Sequence, residues 1–233
     1  MLVEQRKEAR EAAIKANEAR MRDATQQEKD AADAALRAEQ FQISAAAGGD
    51  TPVAAASFQG LLTQLESPET ATRRTARTRL AGLGTGLVRP AMAELLNPDL
   101  TYRLQLGLVV ALTEMLRDNK RARGDIITMI DDAALTELLR LATNNDRTIR
   151  VYAGEFLYDL GDPRVFVLAP EVWNSGISDS GRFNLALALK GAAPFVAGSD
   201  KAQASSLAQS WIGQVGPRTD DLLRDALRFL GRT

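Results

Sequence analysis

The stretch NPDLTYR, at Asn97–Arg103, recurs in altered form as NNDRTIR at Asn144–Arg150 and as SPETATR at Ser67–Arg73. Each copy has a turn-forming residue, then an acid, then an arginine four positions after the acid. An acid in the first turn of a helix complements the helix dipole and can accept hydrogen bonds from free backbone amides. An arginine one turn later lies within reach of that acid. The three stretches therefore predict three helix starts built in the same way.

Apolar residues follow these arginines at helical spacing, such as Ala76 and Leu80 after Arg73, and they indicate one buried face that is repeated along the chain. Two further arginines nearer the C-terminus stand in a similar position at a predicted helix start. The five repeated arginines are then Arg73, Arg103, Arg150, Arg182 and Arg224. Their spacings of 30, 47, 32 and 42 residues fit a unit of about 30 residues with two insertions. A period of this size is typical of a helical solenoid, in which each hairpin buries its apolar face against its neighbours.

From Phe58 onward the sequence predicts amphipathic helices joined by short polar turns, with almost no strand-like alternation. The predicted pairs are 58–65 with 69–83, 87–96 with 100–117, 131–142 with 147–160, 163–173 with 179–192, and 203–215 with 219–230. The segment 117–129 is an insertion between the second and third pairs, and it has room for a short helix.

The run LGTGLVRPAMAELLNPDLTYRLQLGLVVAL, residues 83–112, resembles a HEAT repeat. It has a proline in its first helix (Pro90), an acidic turn, and an arginine followed by small and aliphatic residues. The later run LGDPRVFVLAPEVW repeats the first half of this pattern, with Pro170 in the comparable place. The resemblance covers about residues 58–192, and the pair at 203–230 is interpreted as a cap. It implies an all-α fold, a right-handed α–α superhelix of the HEAT or armadillo kind with about five hairpins.

In HEAT-like proteins the arginine and the acid typically form a ladder between adjacent repeats. The resemblance therefore assigns a structural ladder role to Glu69, Arg73, Asp99, Arg103, Asp146 and Arg150. The residues alone also allow an irregular bundle of unrelated amphipathic helices, in which each acid and arginine acts only as a local cap.

The first 43 residues differ from the rest of the chain. Residues 4–39 contain no Gly or Pro and hold eight Lys and Arg against nine Asp and Glu, which predicts a long charged helix over 1–43. Large apolar side chains are too scarce for a tight coiled coil, so the Ala-rich stripe predicts only weak self-association. Residues 44–57 predict a flexible linker, and 58–233 the HEAT-like domain. The first helix also resembles segments that follow a membrane span in some bacterial multidomain signalling proteins, which implies the soluble part of a larger protein.

Composition excludes several kinds of chemistry. The chain has no Cys and no His, so disulfides, thiolate catalysis, histidine-dependent catalysis and the common zinc sites are excluded. The pairs Asp131–Asp132 and Asp220–Asp221 stand at predicted helix starts and are interpreted as caps. The glycines of 82–86 are interpreted as a helix end, because no strand precedes them and no Gly-Lys-Ser/Thr follows. The sequence predicts no catalytic residue, no metal and no cofactor.

Basic residues cluster in the first part of the repeat domain. Residues 58–123 hold ten Lys and Arg against six acids, whereas 124–233 hold eleven against fourteen. In HEAT-like proteins the second helix of each pair usually lines the concave side, which implies a contact surface there. The candidate binding residues are Arg74, Arg77, Gln105, Arg121 and Arg123. The expected partner is another protein with an acidic surface.

The leading functional prediction is a non-enzymatic interaction module, acting as a scaffold, adaptor or sensor. The competing class is an enzyme on the same scaffold, either DNA glycosylase-like or a bilin lyase, since both have HEAT-like relatives. Few aromatic residues lie near the basic clusters, and this argues against nucleic acid as the partner. No run approaches the roughly 20 apolar residues of a membrane helix. The sequence leaves the compartment open, with the cytoplasm favoured and any membrane tether expected in an upstream segment.

Overall fold

The computed structural model describes the backbone of residues 52–231 and the side chains of residues 58–231. The predicted helix at 1–43 and most of the predicted linker lie outside the described residues. The α-helices of the described part are α1 Pro52–Leu65, α2 Thr70–Gly82, α3 Val88–Leu95, α4 Tyr102–Asp118, α5 Arg123–Met129, α6 Asp132–Leu141, α7 Arg147–Leu160, α8 Val165–Trp173, α9 Asp179–Ala192, α10 Lys201–Trp211 and α11 Pro217–Leu230. Short 3-10 turns lie at Gly84–Leu87, Lys120–Ala122, Ala193–Phe195 and Gly198–Asp200. Between residues 52 and 231 there is no strand.

The helices form stacked hairpins. Helix α3 packs on α4, α6 on α7, α8 on α9 and α10 on α11. The second helices form one continuous row, because α2 packs on α4, α4 on α7, α7 on α9 and α9 on α11. The first helices form another row, with α3 against α6 and α6 against α8. Helices that contact only their neighbours in this order define an α-solenoid, so the predicted all-α solenoid class is confirmed.

The core runs along the solenoid between the two rows. The second helices supply a fully buried stripe in each repeat, such as Leu108 and Leu112 on α4, Phe156 and Leu157 on α7, and Leu189 on α9. Burial of a side chain of this size contributes roughly 1.5–3 kcal/mol. The repeated apolar phase in the sequence therefore corresponds to one shared core.

Glycines let neighbouring second helices approach closely. A Cβ placed on Gly191 of α9 would lie 2.3 Å from the backbone oxygen of Tyr158 on α7. A Cβ on Gly107 of α4 would lie 2.6 Å from a methyl carbon of Leu65 on α1, a side chain that can adjust. No residue with a Cβ fits against the backbone of Tyr158, so glycine is required at position 191.

Helix α1 begins earlier than the sequence analysis placed it. It starts at Pro52, whereas the predicted linker extended to residue 57 and the predicted domain began at Phe58. Proline is well tolerated in the first turn of a helix, because its missing N–H has no helical partner there. The alanines that follow are strong helix formers and continue the helix toward Phe58.

The start of α4 also differs from the prediction, which placed Asp99 in its first turn. The cap is Thr101, whose hydroxyl accepts from the backbone amide of Leu104 and donates to the carboxylate of Glu66. Asp99 lies in the preceding turn, where its backbone N–H donates to the side-chain oxygen of Asn97 at 3.0 Å. The Thr101 hydroxyl prevails because it caps α4 and bonds to the previous hairpin at the same time.

The predicted insertion contains the short helix α5, which is fastened to the next repeats. The guanidinium of Arg164 donates to the backbone oxygens of Ile127 and Ile130 at 3.1 and 2.9 Å, where α5 ends. It also donates to the carboxylate of Asp162, which is 1% exposed, at 2.6 Å. A hydrogen bond to Asp162 is the main cause that raises the pKa of Arg164. The Asp-Pro-Arg turn thus holds α5 in place.

A pair of stacked indoles joins α8 to α10. The rings of Trp173 and Trp211 lie 3.9 Å apart between centroids at an angle of 10°. The indole N–H of Trp173 donates to the side-chain oxygen of Gln214 at 2.9 Å. Because this N–H has a partner, the indole can be buried at little polar cost. The C-terminal hairpin is therefore anchored to the repeat before it.

Candidate functional site

Two clefts lie along the second-helix row within residues 58–231. The first cleft lies between α2 and α4, has a volume of about 310 Å³, and is lined by Leu65, Arg73, Arg77, Tyr102, Arg103, Leu106 and Gly107. The second cleft lies at the N-terminal ends of α7, α9 and α11 and has a volume of about 800 Å³. Its lining includes Arg147, Arg150, Val151, Asp179, Phe183, Val215, Pro217 and Arg218. Both clefts thus combine arginines with apolar side chains.

The predicted ladder arginines donate to backbone carbonyls. Arg73 Nη1 lies 2.7 Å from the oxygens of both Ser67 and Pro68, in the loop before its own helix. Arg150 makes the same contact with the loop before α7, at 2.8 and 3.1 Å. Arg103 reaches the previous hairpin, where Nη1 lies 2.7 Å from the oxygen of Glu66. Carbonyls near a helix end carry partial negative charge and accept readily from a guanidinium.

The acids expected to pair with these arginines have other partners. Glu69 accepts from the hydroxyl of Thr72 at 3.2 Å. Asp146 caps α7 by accepting from the amides of Thr148 and Ile149 at 2.9 and 3.0 Å. The expected pairing at four-residue spacing appears instead at Asp220 and Arg224, 3.7 Å apart. The Asp146 carboxylate thus satisfies free amides at a helix start, and the arginines satisfy loop carbonyls.

Tyr102 lies at the edge of the first cleft and contacts the residue before α7. Its hydroxyl donates to Asp146 Oδ2 at 3.3 Å, and its side chain is half-exposed at the edge of the first cleft. Desolvation, and secondly the Asp146 carboxylate, raises the pKa of Tyr102 above its ordinary value. The hydroxyl is therefore a neutral donor at physiological pH.

The predicted binding residues are brought together only in part. Arg77 lines the first cleft, whereas Arg74 is exposed elsewhere on α2 and Gln105 is half-buried on α4. Arg121 is exposed in the turn before α5. Arg123 donates to the backbone oxygens of residues 160 and 161 at 3.1 and 3.2 Å, and its guanidinium lies 3.4 Å from the ring centre of Phe195. Its contacts are those of a structural residue at the end of α7.

The second cleft holds residues that the sequence analysis missed. Arg147 and Arg218 are exposed, and neither forms an ion pair with another residue of 58–231. Arg147 is the first residue of α7, and Arg218 follows the first residue of α11. A cation in the first turn of a helix opposes the helix dipole by roughly 0.3–1 kcal/mol. Basic residues at such unfavourable positions were the signal in the sequence that marked them.

One acid lines the second cleft, and it is already paired. Asp179 lies 3.6 Å from Arg182, whose guanidinium carbon lies 5.6 Å from the ring centre of Trp173. The remaining lining includes the apolar side chains of Val151, Phe183 and Val215. The cleft therefore offers uncompensated positive charge around an apolar floor.

The paired acids that the sequence analysis interpreted as caps have the contacts of caps. Among the described side chains, no group of three or more Asp or Glu residues is placed to hold a metal ion. Asp131 accepts from the amide of Ala134 at 2.8 Å, and Asp220 accepts from the amide of Gly213 at 2.8 Å. These contacts are those of helix and turn caps. Across residues 52–231, no helix has the length and apolar content needed to span a membrane.

No protein-family model and no curated protein matches the chain. Among solved structures, it is similar to a designed armadillo repeat protein in complex with the peptide (KR)4, with 12% identity, a TM-score of 0.48, and coverage of 77% of this chain and 84% of that one. An engineered protein has 16% identity and a TM-score of 0.49, with coverage of 76% and 81%. A structure of computationally designed armadillo repeat proteins for modular peptide recognition has 13% identity and a TM-score of 0.45, with coverage of 76% of this chain and 83% of that one. The packing of its own helices makes the chain an α-solenoid repeat protein.

Proposed function

We propose that this chain is a non-enzymatic protein-interaction module, a HEAT-like scaffold, adaptor or sensor that binds an acidic segment of another protein along the row of second helices. The observation that supports it most directly is the pair of arginine-lined clefts along that row. Solenoids bind extended partners along such rows, because the surface is continuous from repeat to repeat.

Charge decides the class of partner. The first cleft is lined by Arg73, Arg77 and Arg103, and the second by Arg147, Arg150 and Arg218. The acid in the second cleft is already paired with a neighbouring arginine. Opposite charges across an interface steer association and reject partners of the wrong sign. A single exposed ion pair contributes at most about 1 kcal/mol, so useful affinity requires several contacts at once.

The spacing of the clefts sets the length of the bound segment. The first cleft lies between α2 and α4, whereas the second is centred on α9, about two and a half helix spacings further along the row. Packed helices lie 8–10 Å apart, which gives a separation of about 20–25 Å. An extended chain advances about 3.3 Å per residue, so about six to eight residues span this distance. The expected ligand is thus a segment with two acidic clusters at that spacing.

Fluorescence anisotropy with the full chain tests this proposal. The probe is a labelled 14-residue peptide with three glutamates at each end and a neutral spacer, and its counterpart has lysine in place of every glutamate. We expect the acidic peptide to bind and the basic one not to. Arg77→Glu should weaken binding about fivefold to twentyfold, because it replaces an attraction with a repulsion.

The matched control is Arg89→Glu, which makes the same change of charge at an exposed arginine of α3 that lines neither cleft. It should leave binding within about twofold of the wild type, because a surface charge outside the clefts is screened by salt. Equal losses in the two variants would show that only net charge matters. That result, or failure of the acidic peptide to bind, would contradict the proposal.

A further inference from the structure

The second cleft differs from the first in its floor. Its volume of about 800 Å³ is large enough for a bulky side chain, and Val151, Phe183, Val215 and Pro217 supply apolar surface to it. Val151 is an aliphatic residue of α7 that is nevertheless 39% exposed. An apolar cleft bordered by a few charged groups is the usual form of a specific side-chain pocket.

Two arginines border this floor from different helices. Arg147 stands at the start of α7 and Arg218 at the start of α11, with Phe183 of α9 between the two helices in the row. Both arginines oppose the dipoles of their own helices and have no carboxylate partner among residues 58–231. A ligand carboxylate on either side of the floor would supply that missing partner.

We infer that the second cleft is a pocket for one large aliphatic or aromatic side chain that is flanked by acidic residues in the bound segment. This inference rests on the proposed function and specifies the sequence that the module recognises. The apolar side chain covers Phe183 and Val151, while the neighbouring carboxylates reach Arg147 and Arg218. In this arrangement the acids supply orientation and the apolar residue supplies most of the affinity, because fully buried contacts dominate binding.

The apolar floor also distinguishes a peptide from a nucleic acid. A phosphate backbone would engage the arginines and would leave Val151, Phe183 and Val215 uncovered, because sugars and phosphates offer no large apolar group. Stacking of a base on Phe183 would need aromatic platforms along the groove, and this cleft contains a single aromatic lining residue. The lining therefore favours a peptide side chain.

Three labelled peptides of equal length test the inference on the full chain. The first carries Leu between two pairs of glutamates, the second has Gly in place of Leu, and the third keeps Leu but has glutamine in place of glutamate. We expect the first to bind about tenfold to a hundredfold more tightly than the second, from burial of one leucine side chain. The third should bind about twofold to thirtyfold more weakly than the first, because both charged contacts are lost.

Variants of the floor locate the effect. Phe183→Ala should reduce the ratio between the Leu and Gly peptides about tenfold. Since this side chain is half-buried, Val151→Ser provides a second variant at an exposed position and should reduce the ratio severalfold. The matched control is Val167→Ser on α8, a valine that is 71% exposed and lines neither cleft, which should leave the ratio unchanged.

The outcomes separate this inference from the proposed function. If the Leu and Gly peptides bind equally well and Arg77→Glu weakens both, the pocket is refuted and the acidic-segment proposal stands. If no acidic peptide binds, the proposed function fails and the pocket fails with it. If duplex DNA displaces the Leu peptide with a steep dependence on salt, and Val151→Ser has no more effect than Val167→Ser, the cleft is an anion site and the inference is overturned.

Discussion

The close approach of α7 and α9 gives a sharp test of the fold, through the substitution Gly191→Ala. The added Cβ would lie 2.3 Å from the carbonyl oxygen of Tyr158 and 2.7 Å from its Cα, whereas ordinary contact begins at 3.4 Å. The two helices would have to separate by about 1 Å, because the obstructing atoms belong to the backbone and have no other rotamer.

The size of the effect follows from two opposing contributions. Overpacking of a core costs typically 1–3 kcal/mol, and a clash between backbones lies at the upper end of that range. Alanine inside a helix is favoured over glycine by about 0.5–1 kcal/mol. We therefore expect a net loss of about 2 kcal/mol, which lowers Tm by about 4–8 °C for a domain of this size.

Thermal unfolding followed by circular dichroism measures this change, with two further alanine variants as references. Gly124→Ala in α5 has no atom within 4 Å of the new Cβ and should raise Tm by a few degrees. Gly107→Ala meets the side chain of Leu65 and should lie between the other two, because a side chain can adjust. If Gly191→Ala is as stable as Gly124→Ala, the second helices do not stack in the row described above.

Two further substitutions test the electrostatics of the fold. Asp162→Asn leaves the buried side of the Arg164 guanidinium without a carboxylate, so it should lower the free energy of unfolding in urea by about 2–4 kcal/mol. The lower value is expected because Arg164 is one-third exposed. A loss below about 0.5 kcal/mol would contradict the role of this pair. For Glu137, burial raises the pKa of the carboxyl, and the opposing effect of Arg140 is smaller. Because its folded pKa lies above the unfolded value, the ionised carboxylate costs stability above that pKa, and the cost disappears as pH falls through it. Glu137→Gln should therefore be more stable than the wild type at pH 7 and equally stable near pH 3, whereas a constant difference across this range would contradict the assignment.

The sequence predicted the helix bounds best where both ends carried a strong local signal. The predicted and observed limits of α7 are the same, because Asp146 caps its start and Gly161, with φ 57°, ends it in the left-handed conformation. The start of α4 was predicted less well, because Asp99 and Thr101 both suit a cap and only the contact with Glu66 in another hairpin decides between them. Local chemistry fixes an element, but contacts distant in sequence choose between equivalent caps.

The candidate site was harder to predict because arginines in similar sequence surroundings differ in their contacts. Arg123 and Arg164 lie in basic or mixed segments, yet both donate to backbone oxygens at helix ends in neighbouring repeats. These bonds depend on loop positions that a linear pattern does not contain. Arg147 and Arg218, which we propose contact the partner, lie far apart in sequence, and only the packing of α9 between their helices brings them to one cleft.

The direction of each guanidinium therefore separates structure from recognition in this solenoid. Where an arginine follows a helix end or a loop of exposed carbonyls, its hydrogen bonds hold repeats together, as Arg103 does with Glu66. Where an arginine stands in the first turn of its helix and lacks a carboxylate partner among the described residues, it opposes the helix dipole and stabilises nothing nearby. A negative charge from a bound partner would compensate it. On this reasoning Arg147 and Arg218 should be replaceable by glutamine with unchanged or slightly higher stability, and with loss of the acidic ligand.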